Sequence, residues 1–141
     1  MALFTLSTLA ACTGGASLDA ALGDKTWNVT ALRVDGQLTP PTPSPEILML
    51  RLVTDPPVEG LPPVVSSGGL NTLGWLVTED GPGNVTFRQG SGTAIGSTPE
   101  VEAQEDRFIA LMEQTAHFSV EGDVLTFADA DNQPLITFTA A

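Results

Sequence analysis

One predicted helix constrains the fold of this chain more than any other feature of the sequence. Ser97 and Thr98 each offer a hydroxyl that can cap a helix, and Pro99 suits the first helical position. Beyond Pro99, apolar residues return to one side at a period of 3.6, with Ile109 at the margin: Val101, Phe108, Leu111 and Met112. The opposite side is polar or small: Glu102, Asp106, Ala110 and Glu113. A core should therefore form against the apolar face of this helix.

The segments on both sides of the helix alternate apolar and polar residues, as half-buried strands do. Before the helix, segments containing Trp75 and Phe87 flank an Asp-Gly-Pro-Gly turn at residues 80–83, which is typical of a hairpin. After the helix, further strands are predicted at residues 117–121, 124–128 and 135–139. The pattern therefore indicates an α+β fold in which sheet covers one helix.

The folded part is predicted to begin at Lys25. Trp27, Val29 and Ala31 share one face of a first strand, which ends at the turn Asp35-Gly36. A proline-rich loop at residues 40–45 then leads to the apolar run at residues 47–53, which reads as a strand with much of both faces covered. A second proline-rich loop follows at residues 55–63. Both loops are interpreted as stiff connectors.

Length and composition indicate a single domain with an acidic surface. The chain has 141 residues, of which 42% are hydrophobic, and it contains no apolar run long enough to span a bilayer as a permanent helix. Its 17 acidic and 5 basic residues give a formal net charge of -12, which repels nucleic-acid phosphates and anionic lipid headgroups. Nucleic acid is therefore not an expected partner.

The N-terminal segment resembles a bacterial lipoprotein signal. Its apolar run ends in Leu9-Ala10-Ala11-Cys12, which matches a lipobox, and Cys12 is the only cysteine of the chain. This predicts a signal peptide at residues 1–11, a lipid on Cys12, a tether at residues 12–24 and a domain at residues 25–141. No Lys or Arg precedes the apolar run, which a start codon placed too late in the gene would explain. A cytosolic chain in which Cys12 is a small buried residue stays open as the alternative.

No motif predicts a catalytic residue, a cofactor or a metal. The only histidine, His117, lies in a predicted strand, which favours a solvated or hydrogen-bonded imidazole over a catalyst. The glycines at positions 90, 92 and 96 depart from the spacing of a phosphate loop and are interpreted as turn residues. Four helical acids are interpreted as a hydrated outer face: Glu102, Glu105, Asp106 and Glu113. The Asp129-x-Asp131-Asn132 sequence is interpreted as a hairpin turn.

Several short segments occur in an order that is typical of one bacterial family. Trp27 lies in the first strand, Gly69 and Asn71 precede the hairpin, and Thr93 opens the segment before the helix. The chain then ends in Gly122-Asp123-x-Leu125-Thr126-Phe127 and the strand that closes with Phe138. In this order and spacing, residues 26–138 resemble a META domain of the HslJ type. Both family cysteines are absent, with Leu70 and Ser97 in their places, which indicates the loss of a cysteine pair.

The resemblance implies a compact α+β domain, with a curved, mainly antiparallel sheet, a partial barrel, packed on a single amphipathic helix. It implies that Leu70 and Ser97 are neighbours in space. It also places Asn71 beside the core sheet, where satisfying backbone groups at a bend is favoured over ligand binding. Family members are often envelope lipoproteins linked to heat shock, antibiotic tolerance and secretion or motility, without an agreed biochemical activity.

The expected function is therefore non-catalytic binding or support of the envelope under stress. The expected location is the bacterial cell envelope, outside the cytoplasm, with the membrane reached through the lipid on Cys12. The expected partner is an envelope protein or a small ligand. The alternative is an envelope hydrolase or inhibitor module that uses a groove rimmed by the proline loops. A deep pocket with convergent polar side chains would favour this alternative.

Overall fold

The computed structural model describes residues 17–52 and 63–141, which form two helices and a nine-stranded sheet. In chain order the elements are α1 (Leu18–Leu22), β1 (Thr26–Val34), β2 (Gln37–Thr39), β3 (Met49–Leu52), β4 (Val64–Ser67), β5 (Thr72–Glu79), β6 (Val85–Gly92), α2 (Pro99–Gln114), β7 (His117–Glu121), β8 (Val124–Ala128) and β9 (Pro134–Ala140). Within these residues, no helix has the length and apolar character needed to cross a membrane.

The strands form one antiparallel sheet that curls into a half-barrel. The strand order is β6-β5-β4-β3-β1-β9-β8-β7, and β2 pairs with β1 beside this path. The two edge strands meet at one end, where a bridge joins Asn84 to His117 and the Phe118 N–H donates to the Gly83 carbonyl at 2.9 Å. Helix α2 connects β6 to β7 and packs mainly against β6. The predicted fold class, a curved antiparallel sheet on one main helix, is confirmed.

Helix α2 begins where its capping residues predict. Thr98 is the N-cap, because its hydroxyl oxygen accepts from the Val101 N–H at 3.4 Å, and Pro99 is the first helical residue. The apolar face packs inward as predicted, with Phe108, Leu111 and Met112 buried and Val101 and Ile109 half-buried. Ser97 lies just before the cap and contributes its backbone N–H, which donates to the Glu102 carboxylate at 2.8 Å.

Aromatic rings fill the inside of the half-barrel. Phe87 of β6 stacks on Phe127 of β8, with ring centroids 5.1 Å apart and an interplanar angle of 28°. Phe127 also meets Phe138 of β9 edge to face at 4.9 Å. Because β6 and β8 lie near opposite ends of the strand order, Phe87 and Phe127 can touch only across a curled sheet.

Strand β1 departs from the simple alternation that its sequence predicts. Trp27 and Val29 are buried as expected, but Leu32 is 2% exposed while Ala31 is only half-buried. The pairing of β1 with β9 shifts register between Val29 and Ala31, as at a β-bulge. A bulge adds one residue to a strand and moves the following side chains to the other face, so Leu32 takes the inward position predicted for Ala31.

Two loops and two short strands complete the comparison with the sequence. Strand β2, with three exposed residues, is not predicted by the pattern. Residues 40–48 contain neither helix nor strand, as the prolines predict. The second proline loop lies mostly outside the described residues. Strand β4 is not predicted by the pattern, because only two apolar residues precede its serines. Ser66 of β4 is fully buried and accepts from the Trp75 indole N–H at 2.8 Å.

Helix α1 packs on the domain, which differs from the expectation of a tether that runs to Asp24. Leu18 and Leu22 are 2% and 0% exposed, and their spacing of four residues puts them on one helical face. The Leu22 carbonyl accepts from the Trp27 indole N–H at 3.0 Å, and the Leu18 N–H donates to the Glu79 carboxylate at 2.8 Å. The packed domain therefore includes residues 18–22 and does not start at Lys25.

Replacing Leu22 by Ala should lower the free energy of unfolding by about 2–5 kcal/mol, because a fully buried side chain is removed. Ala20→Ser, at an exposed position of the same helix, is the matched control and should change the value by less than about 0.5 kcal/mol. Denaturant unfolding of both variants measures the difference. Equal stability of the two would show that α1 is not part of the folded unit.

Candidate functional site

The turn between β4 and β5 is built on a glycine that no other residue can replace without strain. Gly69 has φ +102°, in the region that favours glycine. A Cβ at this position would lie 2.8 Å from the Ser44 hydroxyl oxygen and 2.9 Å from Leu48 Cδ1, so the turn also packs closely against the preceding loop. The Gly69 N–H donates to the Ser67 hydroxyl at 3.1 Å. These contacts fix the positions of Leu70 and Asn71, which follow in the chain.

The Asn71 side chain attaches this turn to the segment that leads from β6 to helix α2. Its Oδ1 accepts from the Thr93 hydroxyl at 2.8 Å and from the Ile95 N–H at 2.7 Å. Its Nδ2 donates to the Ile95 carbonyl at 3.4 Å. Thr72 adds a backbone link, since its carbonyl accepts from the Thr93 N–H at 3.1 Å. A single amide therefore satisfies a hydroxyl and both backbone groups of Ile95.

Glu105 holds Asn71 from the helix side. Its side chain is 7% exposed, and its two carboxylate oxygens accept from the Asn71 backbone N–H at 2.7 Å and from Asn71 Nδ2 at 2.6 Å. Gly68 makes room for this side chain, because a Cβ there would lie 2.7 Å from Glu105 Cγ. Within residues 17–52 and 63–141, no Lys, Arg or His lies at ion-pair distance from Glu105, so neutral N–H groups stabilise this carboxylate.

The assignment of Glu105 to a hydrated outer face is therefore wrong. Glu105 lies four residues after Val101 and three before Phe108, which puts it on the inner face of α2. Its charge favours an exposed position, but its spacing from Val101 and Phe108 predicts a position on the buried face. This spacing is the sequence feature that identifies Glu105. Glu102, Asp106 and Glu113 are exposed, as expected.

A groove of about 570 Å³ lies over this turn on the outside of strands β3 and β4. One border is the segment that carries Glu46 and Ile47, and the Glu46 N–H donates to the Gly69 carbonyl at 3.0 Å. The other border is the segment of Thr93 and Ile95 that Asn71 holds. The remaining lining comes from the turn and from strands β3, β4 and β5: Met49, Arg51, Val65, Ser66, Ser67, Leu70 and Thr72. Each border is therefore hydrogen-bonded to this turn, the first through the Gly69 carbonyl and the second through the Asn71 side chain.

Two isoleucines stand exposed on the opposite borders of the groove. Ile47 is 69% exposed and Ile95 is 58% exposed, whereas Leu70 between them is 8% exposed. Large apolar side chains on the rim of a concave surface are a feature of protein-binding sites. The prediction that Ile47 lies in a strand with much of both faces covered is wrong, because β3 begins at Met49 and Ile47 is exposed. Ile95 is not singled out by the sequence, because the groove joins segments that are far apart in the chain.

The other predicted site residues lie in different places. Trp27 belongs to the core, and Cys12 lies outside the described residues. Leu70 lines the groove and Ser97 is exposed next to the helix cap, so their direct proximity stays a prediction. Of the predicted motif residues, Gly69, Asn71 and Thr93 are the three that come together.

The chemical candidates outside the groove have structural partners. His117 Nδ1 lies 2.9 Å from Asn84 Oδ1. Asp129 closes a turn, where hydrogen bonds from the backbone N–H groups of Gln133 and Asp131, with Arg33 nearby, lower the pKa of the carboxyl from its ordinary value. Across the described ranges, no three acidic, His or Cys side chains are grouped as a metal site would require.

The glycines that resemble a phosphate loop are not all in a turn. Gly90 and Gly92 lie within β6, which corrects their interpretation as turn residues, and only Gly96 lies in the connection to α2. A Cβ at position 92 would lie 2.8 Å from Nε2 of the exposed Gln89 side chain, which can move aside, and 3.2 Å from Leu73 Cδ2. The sheet is antiparallel around them, so they do not form the strand-to-helix loop that binds phosphate.

Comparison with known proteins identifies the family. The model of the META domain family matches residues 20–141. A DUF4847 family protein from Bacteroides vulgatus has a similar fold, with a TM-score of 0.57 and 15% identity over 87% of this chain and 96% of that one. A protein from Burkholderia xenovorans is also similar, with a TM-score of 0.62 and 19% identity over 85% of this chain and 83% of that one. Comparison with curated proteins gives no match.

Proposed function

Since the chain belongs to the META domain family, we propose that it acts as a cell-envelope lipoprotein that binds a partner protein and does not catalyse a reaction. The observation that carries this proposal is the groove over residues 69–71, with Ile47 and Ile95 exposed on its two borders. Its volume of about 570 Å³ is enough for several side chains of a partner. A role in supporting the envelope under stress fits a protein that works by binding.

The expected partner segment combines apolar side chains with a neutral or basic charge. The apolar part follows from the isoleucines and from Met49, Val65 and Leu70 between them. The charge follows from the formal net charge of -12, because a strongly acidic protein repels acidic partners and attracts basic ones. A segment of an envelope protein with apolar and Lys or Arg residues satisfies both requirements.

The polar atoms of the groove support binding over catalysis. Hydrolysis by a hydroxyl nucleophile requires a base within hydrogen-bond reach. The Ser66 and Ser67 hydroxyls accept from the Trp75 indole and the Gly69 N–H, and the Thr93 hydroxyl donates to Asn71. Among the described lining residues there is no histidine, and the Glu46 carboxylate makes no hydrogen bond to the hydroxyls of Ser66, Ser67 or Thr93. The alternative of a hydrolase that uses a groove next to the proline loops is therefore the weaker proposal, although the first proline loop does lead into Glu46.

A lipid on Cys12 would keep the domain close to the membrane surface. Five residues separate Cys12 from Leu18, and an extended chain of this length reaches at most about 20 Å. Helix α1, which begins at Leu18, packs against β3, and Met49 and Arg51 of β3 line the groove.

A photo-crosslinking residue at position 95 should capture a specific envelope protein, because Ile95 borders the groove. The same residue at position 124 is the matched control, since Val124 is 44% exposed on strand β8, away from the groove. The measurement uses the full chain in its own membranes, followed by identification of the adducts. The purified partner should then bind an Ile47→Ser, Ile95→Ser variant at least about tenfold more weakly than the unchanged chain.

Identical adducts from positions 95 and 124 would contradict binding in the groove. Unchanged affinity of the double serine variant would contradict it as well. Turnover of a substrate that survives the loss of both isoleucines would favour the hydrolase.

Cys12→Ser should release the protein from the membrane or stall its processing, because the thiol that carries the lipid is removed. The test uses the full-length gene with any upstream basic codons restored, and it measures partition of the product into detergent. Ser7→Ala, a change in the same segment that keeps Cys12, serves as the control and should still partition into detergent. Equal partition of the Cys12→Ser and control proteins would rule out the lipid anchor.

A further inference from the structure

We propose that Glu105 is the positioning residue of the groove: through Asn71 it holds the border formed by Thr93 and Ile95, and it thereby couples helix α2 to the binding surface. The coupling itself is independent of the partner, whereas its importance for binding rests on the proposed function. The inference begins from a carboxylate that is buried, accepts two hydrogen bonds and takes part in no ion pair among the described residues.

The two hydrogen bonds from Asn71 to Glu105 fix both the backbone and the side chain of the asparagine. The backbone N–H donates to one carboxylate oxygen at 2.7 Å, and Nδ2 donates to the other at 2.6 Å. With its amide nitrogen held on the helix side, the side chain directs Oδ1 toward Thr93 and Ile95. Asn71 and Glu105 are each at most 7% exposed, so water competes little for these bonds.

The border at Ile95 has few other attachments. Residues 93–98 contain neither helix nor strand. The Thr93 N–H donates to Thr72, the Ile95 N–H to Asn71, and the Ser97 N–H to Glu102. Two acids of the same helix thus hold this segment, Glu102 directly and Glu105 through Asn71.

The opposite border is held in a different way. The Glu46 N–H donates to the Gly69 carbonyl, and the Ser44 hydroxyl donates to the Glu46 carbonyl at 2.7 Å. Neither bond involves Glu105 or the Asn71 side chain. A change at Glu105 should therefore loosen the Ile95 border and leave the Glu46 border in place. Loss of overall stability would loosen both borders together.

Glu105→Gln removes one acceptor, so that one of the two Asn71 N–H groups faces another donor. Asn71→Asp places a second carboxylate against Glu105. The double variant restores the two bonds between positions 71 and 105, because the new carboxylate at 71 accepts from the new amide at 105, and that amide's oxygen accepts from the backbone N–H of residue 71. It loses the 3.4 Å bond to the Ile95 carbonyl but keeps an oxygen at position 71 that can accept from the Ile95 N–H. Glu113→Gln, at an exposed site of the same helix, is the control.

The experiment measures backbone amide hydrogen exchange by NMR in the full chain without any partner. In Glu105→Gln the exchange of the Ile95 N–H should rise by about tenfold or more, while that of Glu46 changes by less than about twofold. The double variant should return the Ile95 rate to within about threefold of the unchanged protein, and Glu113→Gln should leave it unaltered.

An equal rise at Ile95 and Glu46 would overturn the proposal, because it would mean a general loss of stability. An unchanged Ile95 rate in Glu105→Gln would overturn it too. If a single variant does not fold, the double variant still tests the proposal. A double variant that stays unfolded, or in which the Ile95 N–H is not protected from exchange, would contradict it. Failure of the proposed function would give a different result: the exchange rates would change as predicted, but a crosslinking residue at position 95 would capture no specific protein.

Discussion

The two hydrogen bonds between Asn71 and Glu105 are the interaction on which the groove depends. They join the turn after β4 to helix α2 in the interior, where an unpaired carboxylate or amide would be costly. From Asn71 the bonds continue to Thr93 and Ile95. One buried pair therefore connects a turn, a helix and a loop that are separated in the chain, and it places Ile95 where a partner can reach it.

The half-barrel provides the rigid frame for this pair. The inner faces of β6, β8 and β9 bring Phe87, Phe127 and Phe138 into contact across the sheet. Helix α2 packs on β6 with Phe108 and Met112 fully buried, which fixes the depth at which Glu105 enters the interior. Within the described residues, every buried side-chain nitrogen and oxygen atom has a hydrogen-bond partner. The polar cluster is thus accommodated in the core without an unpaired group.

The helix, the hairpin turns and the bounds of β7 and β8 follow from local sequence patterns, because capping, turn chemistry and periodicity act over a few residues. The inward orientation of the Leu32 side chain could not be predicted, since the bulge arises from the pairing of β1 with β9 at the other end of the chain. Leu18 and Leu22 give too short a pattern to reveal α1. Glu105 shows how two sequence features can disagree. Its position in the helical repeat predicts the buried face, whereas its charge predicts the exposed face, and the position in the repeat is correct. The groove could not be predicted, because local patterns do not show which loops meet at residues 69–71.

The most direct test of this account is the exchange rate of the Asn71 side-chain amide protons in the unchanged protein, measured by NMR. If Nδ2 donates to Glu105 and to Ile95 in the interior, these protons should exchange much more slowly than those of the exposed side chain of Asn132. Exchange of both side chains at the same rate would contradict the account, because Asn71 would then be open to water and could not hold the border of the groove.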